Sequence, residues 1–365
     1  MGGEWPADAE AIAAGREFVD GCSGCVVVAA HNDGDGLSAA VIVLRALAAR
    51  GVVAKPLIAK RGEHVHQEAM QRRIAALAPD ALIVVDMGTR PGPILKGLRT
   101  LIIDHHDGTA GAPPGAVIVN GYDREPVAPA SVLAYVLCRH ISEVEHSAWL
   151  GAFGAVADLG TAAPFAPLLG IEVRGSAWSK AVALVNAARR APEDDALAAL
   201  RVLERAGGVR EIAAGLVPGV DRLQAYREAV QAEVARCSRV APHQLGDVAL
   251  IRFSSAAQVH PLVATRWSRR LAPAVVIAAN EGFLPGRVNF AIRNSSDVNL
   301  LEWLRGLPFT PSPGAEYANG HPRATGGSLS SDDFERFVEV LRGRDMARPE
   351  GSRSRAGTRA RGQRG

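Results

Sequence analysis

The sequence predicts an α/β protein: a parallel-sheet domain joined by a helical connector to a smaller α/β C-terminal domain. Three observations predict it. Short uninterrupted apolar runs alternate with helical stretches from Cys25 to about Asn120. An Ala- and Leu-rich helical pattern then fills residues 130–235. Strand–helix alternation returns after Gln244. At 365 residues the chain suits about two domains. Its 48% hydrophobic and 22% charged residues suffice for two cores.

Residues 1–24 are expected to carry an N-terminal helix. Residues 25–30, Cys-Val-Val-Val-Ala-Ala, are apolar without a break, the mark of a parallel strand buried on both faces. A helix follows over 37–49, a strand over 52–59 and a helix over 64–77. Short apolar runs at 81–85, 101–103 and 117–119 complete a sheet with helices on both faces. Helices are clearest at 183–190, 195–204 and 223–237. In the last domain the expected elements are a strand over 248–253, a helix over 261–271 and strands over 274–279 and 287–292. A final helix spans 332–341, with Ser331 as its N-cap. The expected boundaries are 25–165 for the sheet domain, 166–243 for the connector and 244–345 for the second domain. Residues 346–365 form an Arg-rich tail too polar to bury a core, and expected to be disordered.

The formal charge of +3 is uneven. Residues 348–365 hold six arginines against one glutamate, which leaves the body near −2. A broadly basic nucleic-acid surface is thereby excluded; any anion contact is a local groove or the tail. Cys22 and Cys25 form a lone C-x-x-C without a second pair of ligands nearby, so two small residues at a strand entry are the better reading than zinc. Four cysteines in a chain of this length make no disulfide scaffold and fit a reducing cytoplasm. The acidic N-terminus is not a signal peptide, and no apolar run reaches membrane-span length.

Four polar clusters follow short apolar runs: His31-Asn32-Asp33-Gly34-Asp35-Gly36, Asp86, Asp104-His105-His106, and Asp158. Singly each has a bland explanation, as a turn, a helix cap or a loop histidine pair. Together they are harder to dismiss. The first three fall at the carboxyl ends of expected parallel strands, where open sheets place their ligands. Strands about 4.8 Å apart let such side chains converge. Crowded carboxylates repel, and divalent cations resolve the repulsion. Carboxylates mixed with imidazoles and no thiolate suit manganese before iron, cobalt, magnesium or zinc.

In this order the motifs resemble those of the DHH phosphoesterase family, over residues 25–340. The first motif is like His31–Gly36, the second Val85-Asp86, the third Asp104-His105-His106 and the fourth Ala157-Asp158-Leu159-Gly160. Asn319-Gly320-His321 with Ala324-Thr325-Gly326-Gly327 resembles the glycine–histidine motif of the associated C-terminal domain, and residues 287–294 its substrate-binding strand. The resemblance implies two Mn2+ ions, with Mg2+ or Co2+ as substitutes. Asp33, Asp35, Asp86, His105 and Asp158 would be ligands, Asp86 bridging and His31 a further candidate. Asp104 would orient a neighbouring histidine, and His106 would face the phosphate. Arg293, Asn294, Gly320, His321, Gly326 and Gly327 would form the substrate side.

The implied reaction is hydrolysis of phosphodiester bonds by water activated between the two cations. A RecJ-like exonuclease releasing mononucleotides from single-stranded DNA or RNA is the first expectation. Alternatives are a phosphatase for short oligonucleotides (nanoRNA) or pAp, a cyclic-dinucleotide phosphodiesterase, and a catalytically inactive nucleic-acid or replication-protein scaffold. The expected partners are single strands or short oligonucleotides, with a homodimer as a further arrangement and no membrane.

Overall fold

The computed structural model describes residues 6–271, 275–295 and 298–346, with the side chains of 319–321 and 344–346 left aside. The Arg-rich tail expected from 346 onward lies outside the described residues apart from its first. The chain divides into two compact units, Met1–Val230 and Gln231–Gly365.

The first unit begins with α1 (Ala9–Asp20), capped by Asp8, whose carboxylate accepts from the Glu10 and Ala11 N–H groups. Then come β1 (Cys25–Ala30), α2 (Gly34–Ala49), β2 (Val53–Ile58), α3 (Glu68–Ala75), β3 (Ala81–Val85), β4 (Arg99–Asp104) and β5 (Val117–Asn120). These strands form one all-parallel sheet in the order β2-β1-β3-β4-β5. The order reverses at β1, so β1 and β3 flank the crevice where such sheets bind ligands. Alternation along the strands sends Val27, Ala29, Leu82, Val84 and Ile102 into a core with Met70 and Ile74 of α3. The opposite face meets α1, α2 and α4.

Helices follow: α4 (Ala130–Cys138), α5 (Ser142–Glu145), α6 (Ala148–Leu159), α7 (Ala166–Leu169), α8 (Ser176–Arg190), α9 (Ala196–Arg205), α10 (Val209–Ala214) and α11 (Val220–Cys237). Buried α2 is packed by α4, α6, α8 and α9. Two glycines make the α2–α6 approach close enough. A Cβ on Gly34 would sit 2.6 Å from Ala157 Cβ, and one on Gly154 2.5 Å from Asp35 Oδ1.

The second unit holds β6 (His243–Leu245), β7 (Val248–Phe253), α12 (His260–Ser268), β8 (Val275–Leu284), β9 (Arg287–Arg293), α13 (Leu300–Arg305), β10 (Glu316–His321), β11 (Ala324–Ser330) and α14 (Ser331–Met346). Its sheet runs β10-β11-β9-β8-β7-β6 and is antiparallel except for β7–β8. Phe290 lies 5.6 Å from Phe337 and 5.8 Å from Phe334 in the core under α14. Burying each such ring stabilises by about 1.5–3 kcal/mol.

The fold class matches the sequence reading, with local differences. The stretch 64–77 is helical only over Glu68–Ala75; residues 60–67 are turns tied by short-range bonds such as Gln67 N–H to the His64 carbonyl. The last helix is capped by Ser330, not Ser331: the Asp333 N–H donates to Ser330 Oγ at 3.1 Å. The β10–β11 hairpin, α13 and β6 were not foreseen, because Ala-Thr-Gly-Gly-Ser has little β propensity, α13 has only six residues and β6 only three.

Candidate metal centre

The loops leaving β1, β3 and β4 each deliver a charged group at adjacent strand ends. After β1, Asp33 caps α2, accepting from the Gly36 N–H at 3.1 Å. Its other oxygen lies 3.0 Å from His31 Nδ1. A Cβ on Gly36 would collide with the His31 carbonyl at 2.7 Å, so glycine is needed where the chain folds back on itself. Asp86, directly after β3, is 3% exposed and adopts φ 61°, the left-handed conformation that side chains rarely take. Asp104 ends β4 fully buried, and His105 and His106 follow it.

Asp86 stands between two groups. Its Oδ2 is 3.3 Å from His31 Nδ1; its Oδ1 is 3.2 Å from His105 Nε2 and 3.9 Å from His106 Nδ1. His31, Asp33 and Asp86 thus form one set of ligand atoms that could hold a cation, and Asp86, His105 and His106 another, with Asp86 common to both. Asp35 and Asp158 stand at the edge of the second set, 3.8 Å from His105 Nε2 and 4.0 Å from His105 Nδ1.

Two of these positions come from helices. Asp35, in the first turn of α2, accepts from the Ala130 and Ser131 N–H groups at 2.8 and 3.0 Å, so the amino end of α4 holds it. Asp158 lies in the last turn of α6, placed by the Gly34–Ala157 approach and not by a strand end.

The electrostatics show a crowd of anions compensated by protons. Burial would lower the pKa of His31, yet the carboxylates of Asp33 and Asp86 push it up to about 10. His105, equally opposed by burial, is pushed to about 10 by Asp86, Asp35 and Asp158. Burial and the Asp86 charge raise Asp35 to about 8. Asp33 is held well below the usual carboxylate range despite burial, by His31 and Arg189. The Asp104 carboxylate receives the His106 ring at 2.8 Å and is lowered, against the opposing effect of burial. Carboxylates and imidazoles crowded in this way suit hard to borderline divalent cations, which would take over the role of the protons.

The sequence reading missed α8. Asn186 Oδ1 accepts from the Gly34 N–H at 3.1 Å and from Arg189 Nε at 3.3 Å. Arg189 Nη2 lies 4.0 Å from Asp33. Half-buried Arg190 makes no hydrogen bond or ion pair among the described residues, within electrostatic reach of Asp33. Burial and the charge of Arg189 push its pKa down to about 9, so it stays charged at neutral pH. The Asn186–Arg190 stretch ends a predicted helix and gives no motif by composition alone.

In the second unit the register sets Ala324 opposite both His321 and Arg293, so these backbones form one row across β10, β11 and β9. Arg293 Nη1 donates to the Ile292 and Thr325 carbonyls at 2.8 and 3.3 Å, and no carboxylate pairs with it among the described residues. Burial lowers its pKa. Asn294 Nδ2 donates to the Val298 carbonyl at 3.1 Å. The sheet itself demands two of the glycines: a Cβ on Gly326 would lie 2.2 Å from the Phe290 carbonyl, and one on Gly327 2.3 Å from that of Glu316. Gly320 lies in β10 opposite Thr325. The C-x-x-C resolves into Cys22, buried with Sγ 3.3 Å from the Phe18 carbonyl, and Cys25 at the strand entry; all four cysteines are free.

An open parallel sheet carrying carboxylates and imidazoles at its switch point defines the class of the first unit. Residues 25–156 match the sequence model described as DHH family, N-terminal domain, so the chain carries a domain of that family. The fold is similar to that of exonuclease RecJ bound to manganese, with a TM-score of 0.65 and 20% identity over 93% of this chain and 95% of that one. It is also similar to RecJ in complex with Mn2+ from Thermus thermophilus, with a TM-score of 0.67 and 22% identity over 93% of this chain. There it spans about half, 55%, of the other protein's length. An exopolyphosphatase-related protein from Bacteroides fragilis aligns with a TM-score of 0.51 and 11% identity over 92% and 97% of the two chains. No curated protein sequence matches significantly. The alignments with RecJ extend through the second unit, so both units share that fold.

Proposed function

We propose that this protein is a phosphoesterase with two divalent cations, hydrolysing phosphodiester bonds of single-stranded DNA or RNA as a RecJ-like exonuclease that releases mononucleotides. The observation that carries this reading is Asp86: one buried carboxylate whose two oxygens face two different donor sets. The cations are Mn2+ by preference, with Mg2+ or Co2+ as substitutes. When bound they would polarise the phosphoryl group and bring the pKa of water toward neutrality.

His31 and Asp33 would hold one cation, His105 with Asp35 and Asp158 the other, and Asp86 both. Asp35 is held by the amino end of α4, which keeps its carboxylate oriented. His106 is the exposed histidine of the pair, its side chain 54% accessible. With Nδ1 bonded to Asp104, and its pKa raised by that carboxylate against burial, the ring presents a proton at Nε2 to a phosphate oxygen. Arg190 is a cation beside the centre, near Asp33 but without a direct ion pair among the described residues, and a substrate phosphate would pair with it. In the second unit Arg293 is a further phosphate contact, its guanidinium steadied by carbonyls and, among the described residues, not neutralised by a carboxylate. Backbone N–H groups of the Gly320–His321 and Gly326-Gly327 strands, with Asn294, would add neutral contacts.

The likeness to exonuclease RecJ bound to manganese supports the choice of cation and of exonuclease action. A body charge near −2 confines anion contacts to such discrete cations. Among the described residues no helix is long and apolar enough to cross a membrane. Four free cysteines fit a reducing compartment, and we place the protein in the cytoplasm.

The test is a manganese-supplemented digest of an end-labelled long strand, a five-nucleotide oligomer and a dinucleotide, each as DNA and RNA. Stepwise loss of the long strand to mononucleotides is expected. Cleavage confined to the short species would replace this reading with an oligonucleotide or pAp phosphatase. No cation-dependent cleavage of any would leave a binding scaffold.

A further inference from the structure

The two histidines that follow β4 are held by different means. His105 is 9% exposed, and packing restrains its ring. His106 has a side chain 54% accessible, so packing leaves it room to turn and hydrogen bonds must hold it. One grips the ring, Nδ1 lying 2.8 Å from Asp104 Oδ1. That bond fixes one end of the residue. The other end is main chain, in a stretch where Asp107, Thr109 and Ala110 are also exposed.

The neighbouring strand ties that main chain down. Asn120 ends β5 and stands in register beside Asp104 at the end of β4. The Gly121 N–H donates to the Asp104 carbonyl at 3.2 Å, so the two strand ends are bonded to each other. Asn120 Nδ2 then donates to the His106 carbonyl at 3.0 Å. A second bond sets the direction of the amide. The Tyr122 N–H donates to Asn120 Oδ1 at 2.7 Å, so the oxygen faces Tyr122 and the NH2 group faces His106. The loop also lies close against this strand end and the turn after β3: a Cβ on Gly108 would meet Asn120 Nδ2 at 3.5 Å and Thr89 Oγ1 at 3.3 Å.

We infer that Asn120 is a positioning residue for His106: its amide, oriented by the Tyr122 N–H, holds the His106 main chain while Asp104 holds the ring, so that Nε2 is aimed at the phosphate oxygen. This rests on the reading of His106 as the phosphate-facing histidine. Asn120 acts through His106, not on the substrate or a cation. Two anchor points on one residue fix the direction of its free ring edge, and a misdirected donor loses transition-state stabilisation. Substituting Asn120 therefore lowers kcat and leaves Mn2+ binding and KM in place.

Two substitutions separate this role from general packing. Asn120→Asp keeps the acceptor for the Tyr122 N–H and loses the donor to His106; Asn120→Leu loses both and adds no charge. Each is made alone and together with His106→Ala, in the full chain. Measured are kcat and KM on the end-labelled long single strand in Mn2+, Mn2+ binding by calorimetry and melting of the metal-free protein. Expected is a kcat lower by about tenfold or more in both Asn120 variants, with KM and Mn2+ affinity within about threefold of wild type. Added to His106→Ala, neither Asn120 substitution should lower kcat further. Should the Leu variant fail to fold, the Asp variant, alone and with His106→Ala, decides. A kcat within about threefold of wild type in both Asn120 variants overturns the inference. So does an Asn120 loss of undiminished size in the His106→Ala background, which marks general packing. A His106→Ala variant with wild-type kcat overturns the reading of His106, and this inference with it. A wild-type protein that cleaves no strand in Mn2+ overturns the proposed function itself.

Discussion

The two sheets place polar side chains in opposite ways. In the first unit the strands are parallel, β1, β3 and β4 are buried along nearly their whole length, and carboxylates and imidazoles cluster at their carboxyl ends. There His31 lies 3.0 Å from neighbouring Asp33, and sequence-distant Asp86 comes within 3.3 Å of His31 and 3.2 Å of His105. In the second unit the strands are largely antiparallel, and polar groups alternate along them. Arg287, Asn289 and Arg293 lie on one side of β9, while Val288, Phe290 and Ile292 enter the core. A parallel sheet thus gathers charged groups at one point; a mixed sheet spreads polar groups along a face.

Six changes, of residue, pH or chain length, break or sharpen this contrast. The largest effect is expected from Asp86→Ala, which removes the group common to both donor sets and abolishes Mn2+-dependent hydrolysis, followed by release of labelled mononucleotide. Wild-type turnover in that variant would disprove the two-cation arrangement. Next, Arg190→Ala should lower kcat/KM about 10²–10³-fold. Arg293→Ala should lower it only about tenfold, mainly through KM, because it serves the face and not the point. Equal effects would erase the distinction between the units.

Gly154→Ala tests how the point is built. The added methyl would sit 2.1 Å from Ser131 Oγ and 2.5 Å from Asp35 Oδ1, so α6 or Asp35 must move. A loss of about 1–3 kcal/mol in denaturant unfolding is expected, together with weaker Mn2+ binding. Proton linkage gives a smaller effect. His31 and His105 hold protons up to about pH 10 and Asp35 up to about pH 8. A cation must displace these protons, so Mn2+ affinity should rise from pH 6 to pH 8, with net proton release in calorimetry across buffers of different ionisation enthalpy. Affinity falling with pH would contradict it. The smallest effect belongs to truncation after Arg344, which should leave dinucleotide hydrolysis unchanged; a large loss would show that the tail takes part in the chemistry.

The strand-end half of the site was legible because a buried parallel strand is an uninterrupted apolar run and whatever follows it stands at the sheet's carboxyl edge. Cys25–Ala30 before His31, and Ala81–Val85 before Asp86, needed no other information. The helix-borne half was not. Arg190 looks like any basic residue ending a helix, and only the packing of α8 near the α2 terminus gives it an anion-seeking place. The turn before α3 was hidden because the helix expected over 64–77 forms only over Glu68–Ala75. The β10–β11 hairpin was hidden by its glycines, which the sheet requires for close strand approach.

The sequence by itself determined the α/β class, the strand ends and the identity of the charged groups there, since these follow from local apolar runs and from the fixed pleat of a strand. Only the tertiary structure decided that Asp86 faces two donor sets, that α4 holds Asp35, and that Arg190 lies near Asp33. Those facts depend on contacts between residues tens to over a hundred positions apart, which no local pattern records.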